Sequence, residues 1–211
     1  MSPQAVARRF AVLLALAPFA LPHPAFAATI TSEQAGIANF GEINESYYRG
    51  AQPDRDGFKR LGTLGIKTVI DLQEDAQAAE PEWVKQSGMK YFNIPLSGSR
   101  PANQEQTARF LALVSDSTNW PVYVHCAAGR HRTGEMTGIY RITHDSWTAD
   151  HAYQEMQKYG YYAFPNHGSL KRYVYSYYDT YRGAAKAASA DSTLASAGAI
   201  STNPARAPIP R

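Results

Sequence analysis

The residues best suited to chemistry crowd into one stretch, Val122-Tyr123-Val124-His125-Cys126-Ala127-Ala128-Gly129-Arg130-His131-Arg132-Thr133-Gly134. Cys126 is the only cysteine in the chain. The apolar run Val122 to Val124 predicts a buried strand. Thr133 to Thr143 predicts a helix, with Met136, Ile139 and Tyr140 on one face. A lone thiol therefore sits in a short loop between a strand end and a helix start. The loop N–H groups and the positive end of the helix can converge there on an anion. The same partial charges favour thiolate over thiol. Arg132, at the helix start, can grip two oxygens of a phosphate whose phosphorus faces the sulfur. The loop residues Ala127, Ala128, Gly129, Arg130 and His131, together with Arg132, are the candidate phosphate-binding set.

The pattern His-Cys-x-x-Gly-x-x-Arg-Thr resembles the phosphate loop of the cysteine-dependent protein phosphatases. That resemblance implies a role for each fixed position. Cys126 would attack phosphorus and carry a phosphocysteine. Arg132 would hold the phosphoryl oxygens through the transition state. Gly129 would let the backbone curl. Thr133 would donate to the sulfur and help it leave, and His125 would support the loop and keep the sulfur ionised. The plain alternative is a buried structural cysteine. Residue types, spacing and context together favour the phosphate site.

The elements that must position this loop follow from the rest of the chain. Asp54 to Leu64 predicts a helix capped by Asp54, with Phe58, Leu61 and Leu64 inward. Ile66 to Leu72 and Met89 to Leu96 predict strands, with a short helix, Pro81 to Gly88, between them. Asn103 caps a predicted helix from Gln104 to Ser115. Helices are also predicted over Ser146 to Tyr159 and Ser169 to Tyr181. Strands alternating with helices give an α/β fold, a single domain with a central, mostly parallel sheet flanked by helices. Ligands of such sheets bind beyond the strand C-termini, where Cys126 falls. Arg49 can reach that site or pair with a surface carboxylate, and the second reading is the simpler.

The 211 residues suffice for one domain with a real core. Residues 1–27 read as an export signal: Arg8 and Arg9, an apolar run from Phe10 to Leu21, and Ala25-Phe26-Ala27 before the cut. The expected location is periplasmic or secreted. The apolar run is too short for a comfortable span, so no stable membrane span is expected after cleavage. Residues 28–44 read as an irregular lead-in, 45–182 as the phosphatase domain and 183–211 as a disordered tail rich in Ala, Ser and Pro. Beyond the signal, 19 basic residues face 18 acidic ones, so bulk charge gives no case for nucleic acid. One cysteine excludes an internal disulfide and a cysteine-based zinc cluster.

Over residues 45 to 180 the chain further resembles bacterial dual-specificity-like phosphatases and the atypical dual-specificity phosphatases of plants and fungi. The resemblance rests on Tyr48-Arg49-Gly50-Ala51-Gln52-Pro53, on Leu61 through Leu72, and on Gly129 through Gly134. It implies activity on phosphotyrosine, other phosphoproteins or inositol phosphates and pyrophosphates, with no metal or other cofactor. The basic pair that often follows the cysteine in the pyrophosphatase branch is Ala127-Ala128 here, while Arg130 and His131 keep some positive charge at the rim. The family also places an aspartate upstream of the cysteine strand to protonate the leaving oxygen. The loop Ser97 to Asn103 has no carboxylate. Glu105 is the nearest candidate, with Asp71 and His167 as alternatives and Asp116 at the far helix end. A phenolate, with a pKa of about 10, needs that proton less than an alkoxide. Aryl phosphates, phosphotyrosine among them, are therefore the preferred substrates. Two alternatives stay open: an inositol polyphosphate or pyrophosphate phosphatase, and a phosphate-ester binding module without catalysis. The expected partner is a phosphorylated protein or a small phosphate ester.

Overall fold

In the computed structural model, residues 31–163, 165 and 167–199 are described, with side chains through 189. The expected signal peptide lies outside these residues. A five-stranded sheet runs in the order β1-β2-β5-β3-β4. Its strands are β1 (Gly41–Asn44), β2 (Tyr47–Ala51), β3 (Thr68–Gln73), β4 (Lys90–Leu96) and β5 (Val122–Cys126). Only β1 pairs antiparallel, against β2; the other pairings are parallel. The helices are α1 (Ser32–Ala35), α2 (Arg55–Thr63), α3 (Glu80–Gln86), α4 (Gln104–Ser115), α5 (Arg132–His144), α6 (Ala149–Lys158) and α7 (Gly168–Ala199).

Local chemistry accounts for the boundaries. Asp54 caps α2 by accepting the Gly57 amide at 2.6 Å. Asn103 and Gln106 form a capping box at the start of α4. α6 begins at Ala149 rather than at Ser146, because the Thr148 hydroxyl caps it while Ser146 adopts a left-handed conformation. Each face of the sheet buries a cluster. Ile70, Ile94, Phe110, Val124 and Ile139 pack on one side, and Phe58, Leu61, Val69, Val84 and Tyr123 on the other. Complete burial of a side chain such as Phe58 or Leu61 stabilises the fold by about 2 kcal/mol. A third cluster, with Met156, Leu170 and Val174, joins α5, α6 and α7.

Two features depart from the sequence reading and one adds to it. The segment 28–44 is not an irregular lead-in where it is described: it supplies α1 and β1, and β1 closes the sheet edge against β2. Tyr47–Ala51 is a strand beside β5, buried along its whole length. Residues 183–199, expected to be disordered, continue α7. Their many alanines supply helix propensity even where no core is available to bury them.

Candidate active site

β5 occupies the centre of the sheet, between β2 and β3, and ends at Cys126. The chain then curls through Ala127 to His131 and enters α5 at Arg132. Gly129 makes the curl possible. Its φ is +65°, and a Cβ there would lie 2.4 Å from the Gly50 backbone. No side chain fits between loop and strand β2.

The loop carbonyls are drawn outward. The Gln52 amide donates to the Ala127 carbonyl at 3.2 Å. Asn39 Nδ2 donates to the carbonyls of Ala128 and Gly129, at 3.2 and 2.9 Å, and to that of Tyr159 at 3.0 Å. Arg49 also donates to the Gly129 carbonyl, with its guanidinium 4.0 Å above the Tyr159 ring. Arg49 is fully buried, so it pairs with no surface carboxylate. With the carbonyls engaged behind the loop, its amides face the bowl, and those of Gly129 and Thr133 reach the Cys126 sulfur.

Cys126 is 3% exposed. Burial opposes its ionisation, but the Thr133 hydroxyl and amide, the Arg132 charge and the Gly129 amide outweigh it. The thiol is held below its ordinary range. The Thr133 hydroxyl has no nitrogen or oxygen partner and turns to the sulfur. Arg132 Nη1 donates to the Leu96 carbonyl and to Asp75 Oδ1, each at 3.2 Å.

Behind the loop, His125 is buried between two carboxylates. Its Nε2 donates to Glu80 Oε1 at 2.9 Å, and its Nδ1 lies 4.0 Å from Asp71 Oδ1. Gln52 donates to Glu80 Oε2 at 2.7 Å; the Gln73 amide and the Tyr91 hydroxyl donate to Asp71. Asp71, Glu80 and His125 are ligand types lying close enough for a metal. Every carboxylate oxygen of the set already has a protein partner, so it serves as a hydrogen-bonded footing for the loop.

The candidate proton donors lie in different settings. Glu105 is exposed in the first turn of α4, where its charge suits the helix dipole, and it forms no hydrogen bond or ion pair among the described residues. Asp71 is fully buried behind His125. Asp116 caps the short turn Ser117–Asn119 at the far end of α4. His167 Nδ1 donates to the Gly98 carbonyl at 2.8 Å and its ring stacks on His131 at 3.7 Å. The expected positive charge on His131 is not found. Burial, then His167 and Arg130, lower its pKa to about 4, so it carries no charge at neutral pH. Tyr162, about half exposed, meets the His131 ring edge-on at 4.4 Å. Ala127, Ala128 and Arg130 are exposed.

Sequence reasoning did not single out Asn39, Asp75, Glu80 or Glu135. Glu135 is fully buried on α5 and its Oε1 accepts the Ala102 amide at 3.0 Å, tying the Ser97–Asn103 loop to the helix that carries Arg132. An acidic residue three positions past Arg132, on the inward face of the helix, was the available signal for Glu135.

Residues 20–169 match the family model described as "DSP-PTPase phosphatase fused to NAD+ Kinase". The chain is 28% identical over 123 residues to the dual specificity protein phosphatase TpbA of Pseudomonas aeruginosa (strain UCBPP-PA14), covering 58% of this chain and 55% of that protein. It is 28% identical over 124 residues to the inositol diphosphatase DSP2 of Oryza sativa subsp. japonica, covering 56% and 60%. The chain thus spans little more than half the length of these relatives. The crystal structure of P. aeruginosa TpbA superposes with a TM-score of 0.56 at 27% identity, over 66% of this chain and 84% of that one. By the extent of the family match and the shared fold, the chain belongs to the DSP-PTPase phosphatase family.

Proposed function

We propose that this protein is a metal-independent phosphatase that hydrolyses aryl phosphate monoesters, phosphotyrosine among them, through a phosphocysteine on Cys126. The observation that carries the reading is a buried thiol held below its ordinary pKa inside a bowl of loop amides, with Arg132 beside it. The thiolate attacks phosphorus. The S–P bond forms as the P–O bond to the aryl group breaks, and the phenolate leaves with the electron pair. Water then attacks the phosphocysteine, releasing inorganic phosphate and restoring the thiolate, which the Thr133 hydroxyl stabilises as leaving group. Arg132 and the loop amides hold the equatorial oxygens in both steps.

The rim supports the aryl preference. His131 is neutral at pH 7 and stands with Tyr162 and His167 as an aromatic wall beside the loop. A flat ring packs on such a wall. A polyphosphorylated inositol gains little there, because Ala127 and Ala128 offer no charge and Arg130 is the one rim cation of the loop. Export to the periplasm or outside the cell, read from residues 1–27, belongs to the same proposal.

Hydrolysis of 4-nitrophenyl phosphate by the unmutated protein and by Cys126→Ser tests the reading. The variant is expected to lose turnover while keeping phosphate binding. Arg132→Lys is expected to lose about 100-fold or more in kcat. Faster turnover of inositol hexakisphosphate or phosphoserine peptides than of phosphotyrosine peptides would overturn the substrate class. No turnover of any ester would leave a binding module.

A further inference from the structure

Arg132 is the group that holds the phosphoryl oxygens in the proposed reaction, and its guanidinium pairs with a carboxylate. Asp75, in the turn between β3 and α3, places Oδ1 3.2 Å from Arg132 Nη1. The two partners differ sharply in setting. The Arg132 side chain is 11% exposed, and that of Asp75 is 76% exposed. The same Nη1 is fixed independently by the Leu96 carbonyl, at the end of a central-sheet strand. The Leu96 contact is built into the fold. The Asp75 contact is a single bond from an exposed side chain, of the kind that contributes little to stability and is readily exchanged. Asp75 is therefore poorly suited to anchor Arg132. It is well placed to compete for it.

No other carboxylate among the described residues touches Arg132. Glu135 is turned to the Ala102 amide, Asp71 and Glu80 lie behind His125, and Glu105 is free in solvent. A phosphoryl group that enters the bowl shares the Arg132 guanidinium with the Asp75 carboxylate on Nη1 and remains near its negative charge. That repulsion grows with the charge of the ligand. It weighs more on a polyphosphorylated ring than on a single phosphoryl group carried by a neutral aryl ring.

Resting on the phosphatase reading above, we propose that Asp75 is a specificity determinant of this site: its carboxylate competes with the phosphoryl group for the charge of Arg132 and selects against highly charged esters. Because Asp75 is exposed, Asp75→Asn and Asp75→Ala are expected to fold as the unmutated protein does. Inhibition of 4-nitrophenyl phosphate hydrolysis by inorganic phosphate and by orthovanadate, at low ionic strength, is the direct readout. In both variants the inhibition constants are expected to fall about fivefold. The gain should be larger for inositol hexakisphosphate as competitor and should shrink in high salt. Unchanged or weaker inhibition overturns the proposal. So does a fall in kcat with loss of the alkaline limb of the pH profile, which would make Asp75 the proton donor. If the unmutated protein neither turns over the ester nor binds vanadate, the phosphatase reading itself fails. If it does both and the variants bind phosphate no better, only the role of Asp75 falls.

Discussion

At the scale of single residues, the site turns on how a buried sulfur can be an anion. Burial alone would protonate Cys126; the Thr133 hydroxyl and amide, Arg132 and the Gly129 amide reverse that. Thr133 is the largest of the favourable contributors and its hydroxyl has no other partner. In Thr133→Ala the thiol should titrate at higher pH. The rate of iodoacetamide alkylation against pH should show its midpoint displaced upward, with slower breakdown of the phosphocysteine in rapid-mixing experiments. An unmoved midpoint would mean that the helix amides and Arg132 suffice. His125 works one step further back. Its Nε2–H is committed to Glu80, so it supports the loop from beneath and is not available to substrate.

At the scale of elements, the loop is held by β2 and by the segment before β1 as much as by β5 and α5. Asn39 and Arg49 take its outward carbonyls, and Gly129 lies flat on the Gly50 backbone. Gly129→Ala puts a Cβ 2.4 Å from that backbone in a left-handed conformation that disfavours any side chain. Clash and strain together should cost about 2 to 4 kcal/mol, read as a lower urea midpoint. Phosphate affinity should fall with it, because the bowl cannot close while β2 is displaced. A folded variant of unchanged stability and affinity would show that β2 yields freely.

At the scale of the whole molecule, Glu135 gives the stability a pH dependence. Burial raises its pKa to about 8, against an ordinary 4.5. Below about pH 4.5 the carboxyl is protonated folded or unfolded, and no penalty arises. Between 4.5 and 8 the unfolded chain ionises while the folded chain keeps its proton, so stability falls as pH rises and levels off above 8. The loss is on the order of several kcal/mol. Glu135→Gln keeps an oxygen for the Ala102 amide and removes the titration. Urea unfolding from pH 5 to 8.5 should show a declining midpoint for the unmutated protein and a flatter one for the variant. Equal slopes would place the pH dependence elsewhere.

The sequence by itself determined the local parts. A β-branched run, a small-residue loop and an amphipathic helix define a strand, a turn and a helix start, and the order Cys126, Gly129, Arg132, Thr133 puts a thiol at the positive end of a helix. Asp54 and Asn103 declared their helices because a cap acts within one turn of chain. What only the tertiary structure decided were the pairings across distance. Tyr47–Ala51 is short and gives no strict alternation, and only the sheet shows both of its faces buried. Arg49 looked like a surface residue until β2 was laid beside β5 and Tyr159 was brought over it. Glu80 and His125 are 45 positions apart, Asp75 and Arg132 57, and no periodicity links them. Charge followed the same division. The types and spacing of the loop residues promised an activated thiol, but that His131 is neutral, that Glu135 keeps its proton and that Asp75 covers Arg132 depend on burial and on neighbours that folding supplies.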